Sequence, residues 1–385
     1  MYNDFYGVDN LEHYLDNSAT TRVSESAAKA VTEMMTVNYG NPSSLHTLGI
    51  RAEEVLEASR DKVSEALGVK SDEVFFTSGG TEANNIAVLG AVSWLKKRGN
   101  KIVTTAVEHS SVYETMKHLE ENGFEVVYIK PDSDGHISAE QFEAAIDEKT
   151  ILVSCMAVNN EIGSIFPIEK IKAVITAKKC PAVLHCDCVQ AFGKIPLRLA
   201  KYGVDLASVS GHKIHAPKGV GALYMKKGLH LKPIMFGGEQ EKKLRPGTEA
   251  LPLIAGFAQA VRDFELSKNY KKVSELNIYI KEKLSELDDI TVNSPSDALP
   301  YIINFSVNGI RSETMLHFLA QKEIYVSSGS ACAKGKPSHV LSAAGIGKNI
   351  ADSALRVSFS DENDKSDIDA LIEAIKEGQQ RLAKR

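Results

Sequence analysis

A chain of 385 residues, 43% hydrophobic and 25% charged, has the make-up of an average globular protein with room for a large core and two domains, which excludes a disordered or fibrous class. Its formal net charge of −5 argues against a nucleic-acid-binding module, and no apolar run approaches the roughly 20 residues of a membrane span. Five cysteines, an odd number with no regular framework, fit reduced thiols in a cytoplasm better than a disulfide scaffold.

The opening MYNDFYGVDNLEHYLDN is acidic and lacks a basic stretch followed by an apolar one, so no signal peptide is expected. IRAEEVLEASRDKVSEALG places Ala52, Val55, Leu56, Ser59, Val63 and Leu67 on one helical face and stops at Gly68, a residue suited to a left-handed helix end. Strands are then expected over 73–78, 101–107, 125–129, 150–158, 182–188, 205–210 and 221–225, separated by helical patterns. That alternation implies an α/β fold with a mainly parallel sheet covered on both faces. Sheets of this kind hold ligands at the carboxyl ends of their strands, so polar motifs that follow strands are the places to look for chemistry. Beyond about residue 261 the pattern changes. A long charged helical stretch over 261–287 leads to strand-like YIINFSV and EIYVSS, then SSGSACAKG, RVSF and a polar C-terminal helix, which together read as a smaller α/β domain.

Four motifs stand out. TSGGTEANN (77–85) follows a strand and opens a helix, with Gly79 and Gly80 allowing a tight turn and Thr81 as the expected N-cap; it could hold an anion or simply begin an ordinary helix. AVEHSS (106–111) sets His109 just after a strand, where a lone histidine is more often a surface residue than a functional one. LHCDCVQ (184–190) invites a metal reading, but strand alternation sends His185 and Asp187 to one face and Cys186 and Cys188 to the other, so one ion cannot collect them. The cysteines read as small core residues, and Asp187 as a buried carboxylate in want of a partner. SVSGHKIHAPKGVGALYM (208–225) places Lys213 between two buried strands beside polar groups, where a desolvated amine could serve as a Schiff-base lysine. Lys218, in PKG, is expected to face water. Cys332 stands apart, a lone thiol among Ser, Gly, Ala and Lys.

Together these segments resemble the class V aminotransferase superfamily of pyridoxal-phosphate enzymes, and within it the cysteine desulfurases. The landmarks occur in order: YLDNSATT, YGNPSSLH, FTSGGTEANN, EHSSV, VNNEIG, HCDCVQ, SGHKIHAPKGVGALY, LRPGTE, SSGSAC, PSHVL and ALRVSFS. The SSGSAC form resembles the branch that serves iron–sulfur cluster assembly and tRNA thiolation. The resemblance implies the pyridoxal 5'-phosphate-dependent transferase fold type I, with a large cofactor-binding domain over 15–261 and a small domain formed by 1–14 and 262–385 that carries the cysteine loop. It implies that L-cysteine is converted to L-alanine, with sulfur passing to Cys332 as a persulfide. By position, Lys213 would form the Schiff base and move the α-proton, and Asp187 would pair with the ring nitrogen. Gln190 would bond the ring hydroxyl, and His109 would stack on the ring and assist proton transfer. Gly80, Thr81, Ser210 and His212 would hold the phosphate, completed by Thr248 of a second subunit in a homodimer. Asn160 and Arg356 would bind the substrate carboxylate. A sulfur-acceptor protein is expected as partner, in the cytoplasm, with no metal, membrane or direct nucleic-acid contact. A selenocysteine lyase or another β-eliminating enzyme on the same cofactor is the alternative. The chain departs from the family pattern where RVSFSDEN replaces a Ser-Leu-Gly-Arg continuation, and where AKGK makes a short link between Cys332 and Pro337.

Overall fold

The structure, a computed structural model, describes residues 12–328 and 338–383. Cys332 and its loop lie outside the described residues. The strands in chain order are β1 (His13–Tyr14), β2 (Val74–Thr77), β3 (Lys101–Thr105), β4 (Glu125–Ile129), β5 (Thr150–Ser154), β6 (Val183–Asp187), β7 (Leu206–Ser210), β8 (Gly221–Met225), β9 (Ile290–Val292), β10 (Ile302–Val307), β11 (Ile324–Tyr325), β12 (Ser327–Ser328) and β13 (Ala354–Ser358).

Seven of them form one sheet in the order β2-β8-β7-β6-β5-β3-β4. The pairs β7–β6, β6–β5, β5–β3 and β3–β4 are parallel, and β8 runs antiparallel to both its neighbours. Every residue of β2, β5, β6 and β7 is buried, as continuous apolar runs covered by helices on both faces must be. Because β2 runs antiparallel to β8, it points the same way as β7. The carboxyl ends of β2, β3, β5, β6 and β7 therefore reach one edge of the sheet, and Gly79, His109, Asp187 and Lys213 follow or end those strands there.

A second sheet, β12-β13-β10-β9, is antiparallel throughout and places Arg356 in β13 between Asn304 and Ser327. The N-terminal segment is tied to it: β1 pairs with β11, and Asp16 bridges Ser358. Thus residues from opposite ends of the sequence meet at one edge.

The helix Thr47–Leu67 buries Ala52, Leu56, Ser59, Val63 and Leu67 and ends at Gly68, whose φ of 66° gives the expected left-handed stop. Helix Leu251–Arg262 packs on helices Glu25–Thr36 and Thr47–Leu67. The approach is close enough that a Cβ on Gly256 would stand 2.6 Å from Val31 Cγ2. Three expectations need correction. The strands expected to run to residues 107 and 158 stop at Thr105 and Ser154, because the chain turns there to reach the site. The charged stretch from residue 261 is not one helix: Leu251–Arg262 ends within it, and Leu266–Ser285 starts after a break. Thr81 is not the N-cap of its helix, which begins at Gly80 with Gly79 as cap.

Candidate active site

A cavity of about 350 Å3 opens where the strand ends meet, lined by residues of both sheets' neighbourhoods, among them Gly80, Thr81, His109, Asn160, Asp187, Gln190, Ser210, His212, Lys213 and Arg356. A larger one, about 550 Å3, opens beside the Arg60–Glu241 ion pair but gathers none of the expected site residues. Chemistry, not size, selects the smaller.

One end of the cavity is a helix N-terminus. Gly79 takes φ 150°, a conformation a side chain would strain, and helix Gly80–Leu95 starts at once. A Cβ on Gly80 would come within 2.7 Å of Val189 Cγ2, and one on Gly221 within 2.5 Å of the Val209 carbonyl oxygen. The backbone is therefore drawn tight, and the first-turn N–H groups, which have no intrahelical partner, face an anion-compatible end of the helix dipole. Thr81 sits in that first turn rather than capping it. His212 beside it is pushed down to about 4, first by burial and then by Lys213 and other cations, so it is a neutral imidazole at neutral pH.

Asp187 ends β6 and is buried, and the partner the sequence did not reveal is Asn84. Asn84 Nδ2 donates to Asp187 Oδ2 at 2.7 Å, and the Val189 N–H donates to Oδ1 at 2.9 Å. The same Asn84 Nδ2 donates to Ser111 Oγ at 2.8 Å, and Ser111 Oγ lies 2.8 Å from His109 Nδ1, which also accepts the Ser111 N–H at 3.2 Å. Since Nδ1 accepts, the network assigns the ring proton to Nε2. Burial pulls His109 below the ordinary histidine value, against the opposing pull of Asp187, which favours the neutral imidazole with its proton on Nε2.

Lys213 occupies a short turn after β7, and its Nζ donates to the Ser18 and Ala19 carbonyls, the latter at 2.6 Å. Gln190 Nε2 donates to the same Ser18 oxygen at 3.0 Å. Arg356 is buried; Nη1 donates to the Asn160 carbonyl at 2.9 Å and Nη2 to Asp16 Oδ1 at 2.8 Å. Its Nε is buried with no hydrogen-bond partner among the described residues, and so is Asn160 Oδ1. Buried polar atoms seldom stay unpaired, so these point to a missing ligand. Asp16 is raised by burial, with Arg356 pulling the other way.

One expected residue lies elsewhere, and one falls outside the described residues. Thr248 is exposed and does not line this cavity, and Cys332 is outside the described residues. Lys218 faces water, as its PKG context implies. Cys186 and Cys188 are buried in the core with their sulfurs 3.5 Å apart, and His185 sits between Ser154 Oγ and Ser208 Oγ, pushed down to about 3 by burial. Asn84, Ser111, Ser18 and Asp16 are contributors that reasoning from the sequence did not single out. The one signal was Asn84 itself, an amide on the buried face of a run otherwise made of Ala, Ile, Val, Gly and Leu.

Fold and site together describe an enzyme of the aminotransferase kind, and the chain belongs to the family described as aminotransferase class-V, whose sequence model matches residues 13–371. Relatives extend along nearly the whole chain. It is 43% identical over 382 residues to a NifS/IcsS protein homolog of Lactobacillus delbrueckii subsp. bulgaricus, covering 96% of this chain and 98% of that one. It is 38% identical to the cysteine desulfurase IscS of Methanosarcina thermophila, covering 97% and 93%. Among solved structures, a NifS-like protein superposes with a TM-score of 0.92 at 38% identity, covering 97% of this chain and 100% of that one. SspA in complex with cysteine superposes with a TM-score of 0.81 at 32% identity, covering 90% and 98%.

Proposed function

We propose that this chain is a pyridoxal 5'-phosphate-dependent cysteine desulfurase that turns L-cysteine into L-alanine and carries the sulfur on Cys332 as a persulfide. The observation that carries the reading is convergence: the amine of Lys213, the carboxylate of Asp187, the imidazole of His109 and the guanidinium of Arg356 share one cavity. The cofactor fits the residues present. The helix start at Gly80, with Thr81, Ser210 and His212, suits its phosphate, and the buried Asp187 carboxylate suits its ring nitrogen. When bound, it supplies an aldehyde that accepts amines and a ring that draws electrons from the substrate's α-carbon.

The chain's own residues do the rest. Asp187, fixed by Asn84 and Val189, holds a proton at the ring nitrogen. Lys213 would anchor the cofactor through its amine, and its free amine would move the α-proton. His109 would lie against the ring, and its Nε2–H, the nitrogen not bonded to Ser111, would donate a proton there. Gln190 donates to the ring oxygen. Arg356 Nε and the adjoining Nη2, with the side-chain amide N–H of Asn160, would receive the substrate carboxylate; the unpaired Arg356 Nε, a donor, supports this assignment. The Cys332 thiolate takes the substrate sulfur, so that thiol plus cysteine become persulfide plus alanine, with no external oxidant. Thr248, turned to solvent, would complete the phosphate site of a second copy. The division at residue 261, a sulfur-acceptor protein as partner and a cytoplasmic site of action belong to the same proposal; among the described residues no helix is long and apolar enough to cross a membrane.

The test loads the protein with cofactor, reduces it with borohydride and maps the labelled peptide, which should contain Lys213. In parallel, Cys332→Ser should keep the visible absorption while losing sulfide release. Label on Lys218, or native sulfide release by Cys332→Ser, would defeat the reading.

A further inference from the structure

Lys194 is an anomaly that none of the roles above uses. It is 3% exposed, yet the charges that act on it are those of Lys213 and Arg356, and no ion pair joins it to a carboxylate among the described residues. A buried amine in such company destabilises the fold, and a methionine would fill the same space without that cost. Among the described residues its Nζ makes one hydrogen bond, to Gln190 Oε1 at 2.9 Å, one turn earlier in the chain. Behind it lies the Tyr301 ring, 5.7 Å from Nζ to the centroid.

The geometry of that bond decides what Gln190 can offer. An ammonium donates only, so it must face the amide oxygen; the Ser18 carbonyl accepts only, so it must face the amide nitrogen. Lys194 and Ser18 thus lock Gln190 from both ends, and the second Nε2 hydrogen is left for the cavity that Gln190 lines. The Ser18 oxygen also receives Lys213 Nζ. A continuous hydrogen-bonded path therefore runs from Lys194 through Gln190 and Ser18 to Lys213.

We propose that Lys194 is a positioning residue, holding Gln190 as an obligate donor toward the cofactor's ring oxygen and setting, through that contact, the proton affinity of the group formed at Lys213. The inference rests on the proposed function above. Burial, followed by Lys213 and Arg356, brings Lys194 down to about 7, so its charge is itself responsive near neutral pH. A cation behind the donor favours an unprotonated neighbour, so its removal should raise that neighbour's proton affinity.

The experiment titrates the visible absorption of the cofactor-loaded wild-type protein, Lys194→Met and Lys194→Gln against pH, and measures cofactor affinity by equilibrium dialysis. In whichever neutral variant folds, the spectral midpoint should rise by roughly one pH unit, a tenfold change in proton affinity, and the cofactor should bind more weakly. A midpoint equal to wild type, even with a lowered melting temperature, would mean a purely structural lysine and overturn the inference alone. A wild-type protein that takes up no cofactor at Lys213 would overturn both this and the reading it rests on.

Discussion

Along one wall of the cavity, Asp187, Asn84, Ser111 and His109 are joined side chain to side chain; along the other, Lys213 leans on backbone carbonyls, Lys194 on a single amide, and Arg356 on a carbonyl and Asp16. The first arrangement fixes protonation. Each member dictates what the next must donate or accept, so the tautomer of His109 follows from the amide of Asn84. The second gathers positive charge: Arg356 is paired with Asp16, and Lys213 and Lys194 stand nearby. A gathering of cations is a poor way to hold a fold together but a good way to hold an anionic ligand. One wall is therefore settled before a ligand arrives, and the other is completed by it.

The largest effect should come from the unfinished wall. Arg356→Lys keeps the charge but loses the fork that reaches Asn160 and Asp16, and KM for L-cysteine should rise by roughly a hundredfold or more, the scale of the ~2–5 kcal/mol lost when a buried charge pair is broken. Steady-state kinetics would show it, and an unchanged KM would remove Arg356 from substrate binding. On the settled wall, Asn84→Leu strips a donor from both Asp187 and Ser111. Stability should fall by about 1–3 kcal/mol in denaturant melts, the cost of a buried acceptor left unmade. If the variant melts like wild type, the chain is decoration and the contrast between the walls fails.

The smallest effect is a change of slope. Glu108, beside His109, is wholly buried and raised to about 8, mainly by desolvation, with the Met156 N–H and Thr105 hydroxyl pulling it down and Asp187 pushing it up. Its other oxygen has no partner among the described residues. Because the folded form holds this proton more tightly than the unfolded one, the stabilisation is complete below the ordinary value of 4.5 and is lost as pH rises through about 8. Glu108→Gln, which cannot titrate, should flatten this decline, so its melting temperature should gain on wild type between pH 5 and 8. A gap that stays constant over that range would show Glu108 to be ionised throughout.

Much of this was legible in the sequence. Apolar runs interrupted by helical periodicity require a covered parallel sheet, and polar motifs placed after those runs must collect at its carboxyl edge. Gly68 could be read as a helix stop because only glycine enters the left-handed region cheaply, and Cys186 and Cys188 could be separated from Asp187 because a strand alternates its faces. The resemblance of eleven motifs to one family then named roles for Lys213, Asp187 and Cys332. What periodicity could not supply was the partner of each polar group. Asp187 and Asn84 are 103 residues apart, Lys213 and Ser18 are 195 apart, and Arg356 meets Asp16 across 340. Propensity and pattern act over a few residues, whereas burial compels pairing across any distance once the chain has packed. Lys194 shows the limit most clearly: as a letter in FGKIP it is an ordinary surface lysine, and only the closed core makes it a buried amine behind Gln190 with no ion-pair partner among the described residues. The residue types were set by the sequence, and which of them had to answer one another was decided by the fold.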